Sequence, residues 1–174
     1  AGNGQEFLAR ILEETGIAPE LISGEREAEL IYLGVRAAVN LGNEKCLIID
    51  IGGGSVEFII CNQKEISWKK SYDIGAARLM EQFHHSDPIS ERDTKDLNLY
   101  LESILSELKT QTKIHKPELL IGSAGAFESF AALINPKFKP GFGSPETKIE
   151  LKDFAIVSEL ILKSSHAERS RNPA

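Results

Sequence analysis

Apolar positions along this chain follow two spacings, and the places where one gives way to the other mark out its elements. Phe7, Leu8, Ile11 and Leu12 recur at helical spacing within residues 4–15, and Gly16 and Pro19 stop the run. Residues 20–23 (ELIS) predict a short strand. After Gly24 the segment 25–40, rich in Ala and Leu and apolar on several sides, predicts a largely buried helix ended by Gly42 and Asn43. The spacing then shortens. KCLIID (45–50), SVEFIIC (55–61) and EISWKKSYD (65–73) are runs of strand length joined by tight turns, and they predict a three-strand meander. Downstream, GAARLMEQF (75–83) predicts a short helix and HHSDPIS (84–90) a polar loop. Residues 91–113 predict one long helix, with Leu97, Leu101, Ile104 and Leu108 at helical spacing and Ser90 and Asp93 as its N-terminal cap. PELLIGSAGAFESFAAL (117–133) reads as strand, glycine turn and helix, 135–148 as a loop rich in Pro and Gly, and 151–164 as a last helix. This order predicts a mixed α/β domain.

The bulk numbers narrow the function classes. At 174 residues and 41% hydrophobic, the chain is long enough for one compact domain and short for two. Its net charge of -6 gives no global positive field to attract nucleic acid, so any phosphate binding must be local, through glycine amides or a metal. Cys46 and Cys61 lie inside apolar runs and offer neither a disulfide framework nor zinc spacing, which fits a reducing, cytoplasmic setting. No run approaches the roughly 18 apolar residues of a membrane span, and no signal peptide is visible. The opening at Ala1 without a methionine suggests a fragment of something longer.

The candidate chemistry sits in DIGGGSVEF, residues 50–58. Gly52, Gly53 and Gly54 lack Cβ atoms, so the backbone there can bend sharply, adopt positive φ and let a ligand approach its N–H groups, which in succession form an anion-binding nest. No Lys follows and the next residues have strand character, so neither a Walker loop nor a dinucleotide fingerprint fits. What remains is a hairpin with a glycine tip plus Ser55, flanked by Asp50 and Glu57. Two carboxylates beside a phosphate nest call for a hard cation such as Mg²⁺ between them. The same residues also fit a plain flexible turn between two solvated strand ends.

ISGEREAELIYLGV (22–35) followed by LIIDIGGGSVEFII (47–60), with LLIGSAGAF (119–127) after them, resembles the exopolyphosphatase and guanosine pentaphosphate phosphohydrolase family of the actin, sugar kinase and Hsp70 superfamily. The pattern shared is I-S-G-x-E-E-A, then D-I-G-G-G-S-x-E, then a later glycine turn after a strand, and it covers most of the chain in order. The resemblance implies a ribonuclease H-like (actin-like ATPase) lobe, a mixed β-sheet flanked by helices. Family members pair two such lobes around a cleft, and the D-x-G-S-N-S motif of the first lobe does not occur here. The chain is therefore expected to be a single domain, the second lobe, with residues 1–24 as the crossover helix and strand and the N-terminal lobe as its missing partner.

Carried over by position, the resemblance makes Glu27 a general base that activates water, and Asp50 and Glu57 the acids that hold Mg²⁺. Gly52, Gly53, Gly54 and Ser55 become the loop that cradles terminal phosphates, and Gly122, Ser123 and Gly125 a second phosphate-facing turn. The family often has two adjacent glutamates where this chain has Arg26 and Glu27, so Glu25 competes with Glu27 for the cleft; the spacing from Gly24 and the following Ala28 favour Glu27. The implied activity is Mg²⁺-dependent removal of the terminal phosphate from inorganic polyphosphate or guanosine pentaphosphate, with the acidic composition favouring short polyphosphate or the nucleotide. A single lobe is expected to be nearly inactive, and homodimers are common in the family. Rival readings are a non-catalytic sensor of nucleotide or polyphosphate and an ATP-dependent small-molecule kinase, the latter opposed by the I-S-G-x-x-E-A motif. His84 and His85 lack a third ligand at metal spacing, Lys69 and Lys70 share a strand so that one faces away, and Arg78 in GAARL is a candidate to neutralise phosphate.

Overall fold

The computed structural model describes residues 3–138 and 146–171. Two helices come first, α1 (Gly4–Thr15) and α2 (Gly24–Ala38), followed by the strands β1 (Cys46–Ile51), β2 (Val56–Cys61) and β3 (Ile66–Tyr72). Then come α3 (Ala76–Phe83), α4 (Glu91–Ile104), α5 (Ser106–His115), β4 (Leu119–Ser123), α6 (Ala124–Ile134), α7 (Leu151–Lys163) and the single turn α8 (His166–Arg169). The strands form one sheet in the order β3-β2-β1-β4. The meander is antiparallel, as the short turns require, and β4 returns parallel to β1 after the crossover through α3, α4 and α5. This mixed sheet flanked by helices is the α/β lobe expected from the sequence.

Alternation along β1 and β2 explains the layering. Cys46 and Ile48 of β1, with Ile59 and Cys61 of β2, face Ala28 and Tyr32 of α2 in one buried cluster. Val56 and Phe58 of β2 and Tyr72 of β3 face Leu108 of α5 in the other, with Tyr100, Leu101 and Leu105 packed against it. β2 is buried at every position, which is why its sequence runs apolar without alternation except at Glu57. Among the described residues no helix is long and apolar enough to cross a membrane.

Helix α2 is not largely buried as expected, since only its Ala28 and Tyr32 are buried while Leu30 and Leu33 are exposed. Two further expected elements differ. Residues 20–23 form no strand: Leu21 and Ile22 are exposed, and Ser23 instead caps α2, its Oγ accepting from the Arg26 amide at 3.2 Å. An extended N-cap backbone reads like a strand when no partner is considered. The helix expected over 91–113 is broken at Leu105 (φ -87°, ψ 15°), although the hydrogen bonds Leu105 N–H to Leu101 C=O and Lys109 N–H to Leu105 C=O continue on either side. No Gly or Pro marks this bend, and Leu101, Leu105 and Leu108 all pack on the second core. The Ser90 cap is present, accepting from the Asp93 amide at 3.1 Å. The loop expected over 135–148 lies partly outside the described residues.

Candidate active site

Strand register assembles the acids. Glu57 pairs with Ser71 on β3 and with Asp50 on β1, and Asp50 pairs with Ser123 on β4. Register partners put their side chains on the same face, so Ser71, Glu57, Asp50 and Ser123 form one polar row across all four strands. The alternation that turns Cys46 and Ile48 toward α2 also turns Asp50 that way. The start of α2 closes over one end of this row: a Cβ at Gly24 would lie 2.6 Å from the Cβ and Oγ of Ser71, so only a glycine lets helix and strand meet so closely.

Neither acid occupies a solvated strand end. Glu57 is 1% exposed, and the Ser71 hydroxyl donates to its Oε1 at 2.6 Å. Asp50 is half-buried, and burial pushes its carboxyl above the usual range; the Ser123 hydroxyl opposes that shift by stabilising the charged form, and the charge of Glu57 adds to it. Glu27, in the first turn of α2, reaches solvent, yet partial desolvation, then Glu57, then Asp50 raise its carboxyl too. Glu25 points elsewhere: its carboxylate takes the Lys69 ammonium at 2.7 Å, and Glu29 takes it at 3.3 Å. Of the two glutamates, then, Glu27 is the one that senses the acid pair.

The glycine turn is held from behind. The Gly52 amide donates to the Ser55 carbonyl at 3.0 Å, and the carbonyls of Gly54, Gly52 and Gly53 accept from the amides of Gly75, Ala76 and Ala77 at 3.2, 2.9 and 3.0 Å. Arg78 Nε adds a bond to the Gly54 carbonyl at 2.7 Å, while its guanidinium pairs with Asp73 at 3.4 Å. Arg78 thus splints the turn. A Cβ at Gly75 would sit 2.4 Å from the backbone of Gly53 and Gly54, so the start of α3 packs directly on that backbone.

Positive φ, which glycine permits, is absent from Gly52, Gly53 and Gly54, so a left-handed backbone does not account for these glycines. Nor does packing at two of them, because a Cβ at Gly53 or Gly54 would find its nearest neighbour at an ordinary 4.0 Å. The fold leaves a face of bare backbone that it does not itself fill. The second turn divides differently. Gly122 is a packing glycine, since a Cβ there would lie 2.1 Å from the Phe127 ring, whereas Gly125 meets nothing within 4 Å. The left-handed residue in this turn is Ala124, at φ 65°.

Among the described residues no group of three or more His, Cys, Asp or Glu is placed to hold a metal, His84 and His85 included. Asp50 and Glu57 could supply two carboxylates to a hard cation, whose remaining ligands would be phosphate oxygens and water. Lys69 and Lys70 are both engaged, Lys69 with Glu25 and Glu29 and Lys70 with Glu107 on the opposite face. Sequence reasoning missed Ser71 and Gly75. Nothing in their local pattern marks them, since their roles depend on register and on the approach of one element to another.

A sequence model of the Ppx/GppA phosphatase family matches residues 1–171. The chain is 31% identical over 149 residues to an exopolyphosphatase 1 of Mycobacterium leprae, a match covering 85% of this chain and 43% of that protein. Among solved structures it is similar to an exopolyphosphatase from Cytophaga hutchinsonii, at 36% identity and a TM-score of 0.91, over 98% of this chain and 56% of that one. A PPX-GPPA enzyme of Aquifex aeolicus matches over the same shares at 28% identity and a TM-score of 0.78. The chain therefore spans about half the length of these relatives.

Proposed function

Because this chain belongs to the Ppx/GppA phosphatase family, we propose that it forms one side of the cleft of a phosphohydrolase that removes the terminal phosphate from inorganic polyphosphate or guanosine pentaphosphate. The observation that carries this reading is the meeting of three parts on one face: the row holding Asp50 and Glu57, the bare glycine backbone beside it, and the first turn of α2 bearing Glu27. In this reading the amides of the glycine turn other than that of Gly52, which bonds the Ser55 carbonyl, receive the terminal phosphate, with the peptide planes fixed from behind by residues 75–78. Glu27 takes the proton of the attacking water, a task suited to a carboxyl whose pKa is raised toward working pH. Asp50 and Glu57 would hold Mg²⁺, held in place themselves by their serine neighbours. Bound there, the cation would neutralise phosphate charge and screen the acids from it. Positioning and electrostatics carry the reaction.

The test is phosphate release by this chain joined to a first lobe of the same family, on polyphosphate, guanosine pentaphosphate and ATP, with Mg²⁺ or with chelator. Metal-dependent release from either of the first two is the expected result and identifies the substrate. Binding without release would overturn hydrolysis in favour of a sensor, and turnover of ATP only with an acceptor would indicate a kinase.

A further inference from the structure

The chain has two cysteines, and the fold brings them together. Cys46 opens β1, Cys61 closes β2, and they are register partners. Both are free and buried, their Sγ atoms 3.6 Å apart, and Cys46 Sγ–H also points to the Cys61 carbonyl at 3.5 Å. With no third ligand of metal-binding type beside them among the described residues, the pair is a dithiol rather than a metal centre. We propose that Cys46 and Cys61 form an oxidation site that closes to an intrachain disulfide when the protein meets hydrogen peroxide.

The geometry suits this product. Register partners in an antiparallel pair have Cα atoms about 4.5–5.5 Å apart, within the range of about 4.4–6.8 Å that disulfides span. Both side chains project to the α2 face, as their shared cluster with Ile48 and Ile59 requires. The sulfurs need only approach by about 1.5 Å, through side-chain rotation, without a slip of register. Access comes from position: the pair sits at the strand ends, beside the turn at 62–65, where local opening costs less than in the middle of a sheet.

The chemistry balances with peroxide alone. One thiol, as its thiolate, attacks a peroxide oxygen; the O–O bond breaks, a sulfenic acid forms and one water leaves. The second sulfur then attacks the sulfenic sulfur, the S–S bond forms, the S–O bond breaks and a second water leaves. Two thiols and one peroxide give one disulfide and two waters, the two electrons passing from sulfur to oxygen. The bond would tie together the base of the hairpin whose other end carries Asp50, Glu57 and the glycine turn.

The experiment treats this chain with hydrogen peroxide, unfolds it in the presence of N-ethylmaleimide, and reads intact mass and a non-reducing peptide map. The expected result is a protein lighter by two hydrogens, resistant to alkylation, with a peptide pair linked through Cys46 and Cys61. Dithiothreitol should restore two alkylatable thiols, and the oxidised form should melt several degrees above the reduced one. In Cys61→Ser the linked pair must vanish, leaving Cys46 as thiol or oxygenated sulfur. Two fully alkylated thiols after peroxide, oxidation to sulfinic acid without linkage, or linkage only between two molecules would each overturn the proposal.

Discussion

Glu57 is the most buried acid of the sheet, and its Oε1 receives the Ser71 hydroxyl at 2.6 Å. Replacing that donor leaves a buried carboxyl group without its partner, so Ser71→Ala should lower unfolding stability by about 1–3 kcal/mol. Chemical denaturation of the two proteins checks this, and equal midpoints would show that Glu57 does not depend on Ser71. Glu27 offers a different kind of test. An acid whose folded pKa exceeds its unfolded one binds its proton more tightly when folded. Its contribution to stability is therefore present below the ordinary value of 4.5 and lost as pH rises through the raised folded value. Glu27→Gln removes that loss. Its melting temperature should equal the parent's near pH 4 and exceed it at pH 7, while turnover in the two-lobe enzyme falls about 10²–10⁴-fold. A lower melting temperature at pH 7 would mean that Glu27 is not held against the charge of Asp50 and Glu57.

At the scale of elements, the glycine turn and the helix that braces it form one unit. The first turn of α3 donates three amides to the glycine carbonyls, and the packing of Gly75 on the turn leaves no room for a side chain. Gly75→Ala should displace the turn and weaken phosphate binding at least tenfold. Gly53→Val, whose added bulk has room within the fold, should also abolish binding but spare thermal stability. Measuring melting and binding together separates the two, since only Gly75→Ala should lose both. The hairpin itself was legible in the sequence because its strands are apolar runs of the right length and its turn is marked by glycine and flanking acids. The polar row was not, because residues 50, 57, 71 and 123 meet through register, which local pattern does not specify. The bend at Leu105 carries no breaker residue, and residues 20–23 have the composition of a strand but no neighbour to pair with. Glycine permits positive φ at the turn, yet none is adopted there, and Gly53 and Gly54 leave bare backbone instead.

Charge decides how the whole molecule can meet a polyanion. The chain carries a net charge of -6, and the face proposed to receive phosphate presents Glu27, Asp50 and Glu57. The cations beside it are committed, Lys69 to Glu25 and Glu29 and Arg78 to Asp73 and the Gly54 carbonyl, while Lys70 pairs with Glu107 on the opposite face. A basic channel would draw polyphosphate from a distance and weaken as salt screens it, whereas in the proposed reading this acidic chain would repel the ligand at long range and hold it only at contact, through amides and a divalent cation. Titrating tripolyphosphate into this chain should therefore show binding with Mg²⁺ and none with chelator. Raising sodium chloride across the range in which the screening length falls from about 30 Å to about 8 Å should leave the affinity unchanged or improved. Asp50→Asn, which removes one of the two carboxylates on the sheet, should raise the Mg²⁺ concentration needed for half-maximal binding. Binding that persists in chelator, or that falls tenfold with salt, would mean that cationic side chains rather than a metal hold the phosphate, and Asp50 and Glu57 would lose their proposed role.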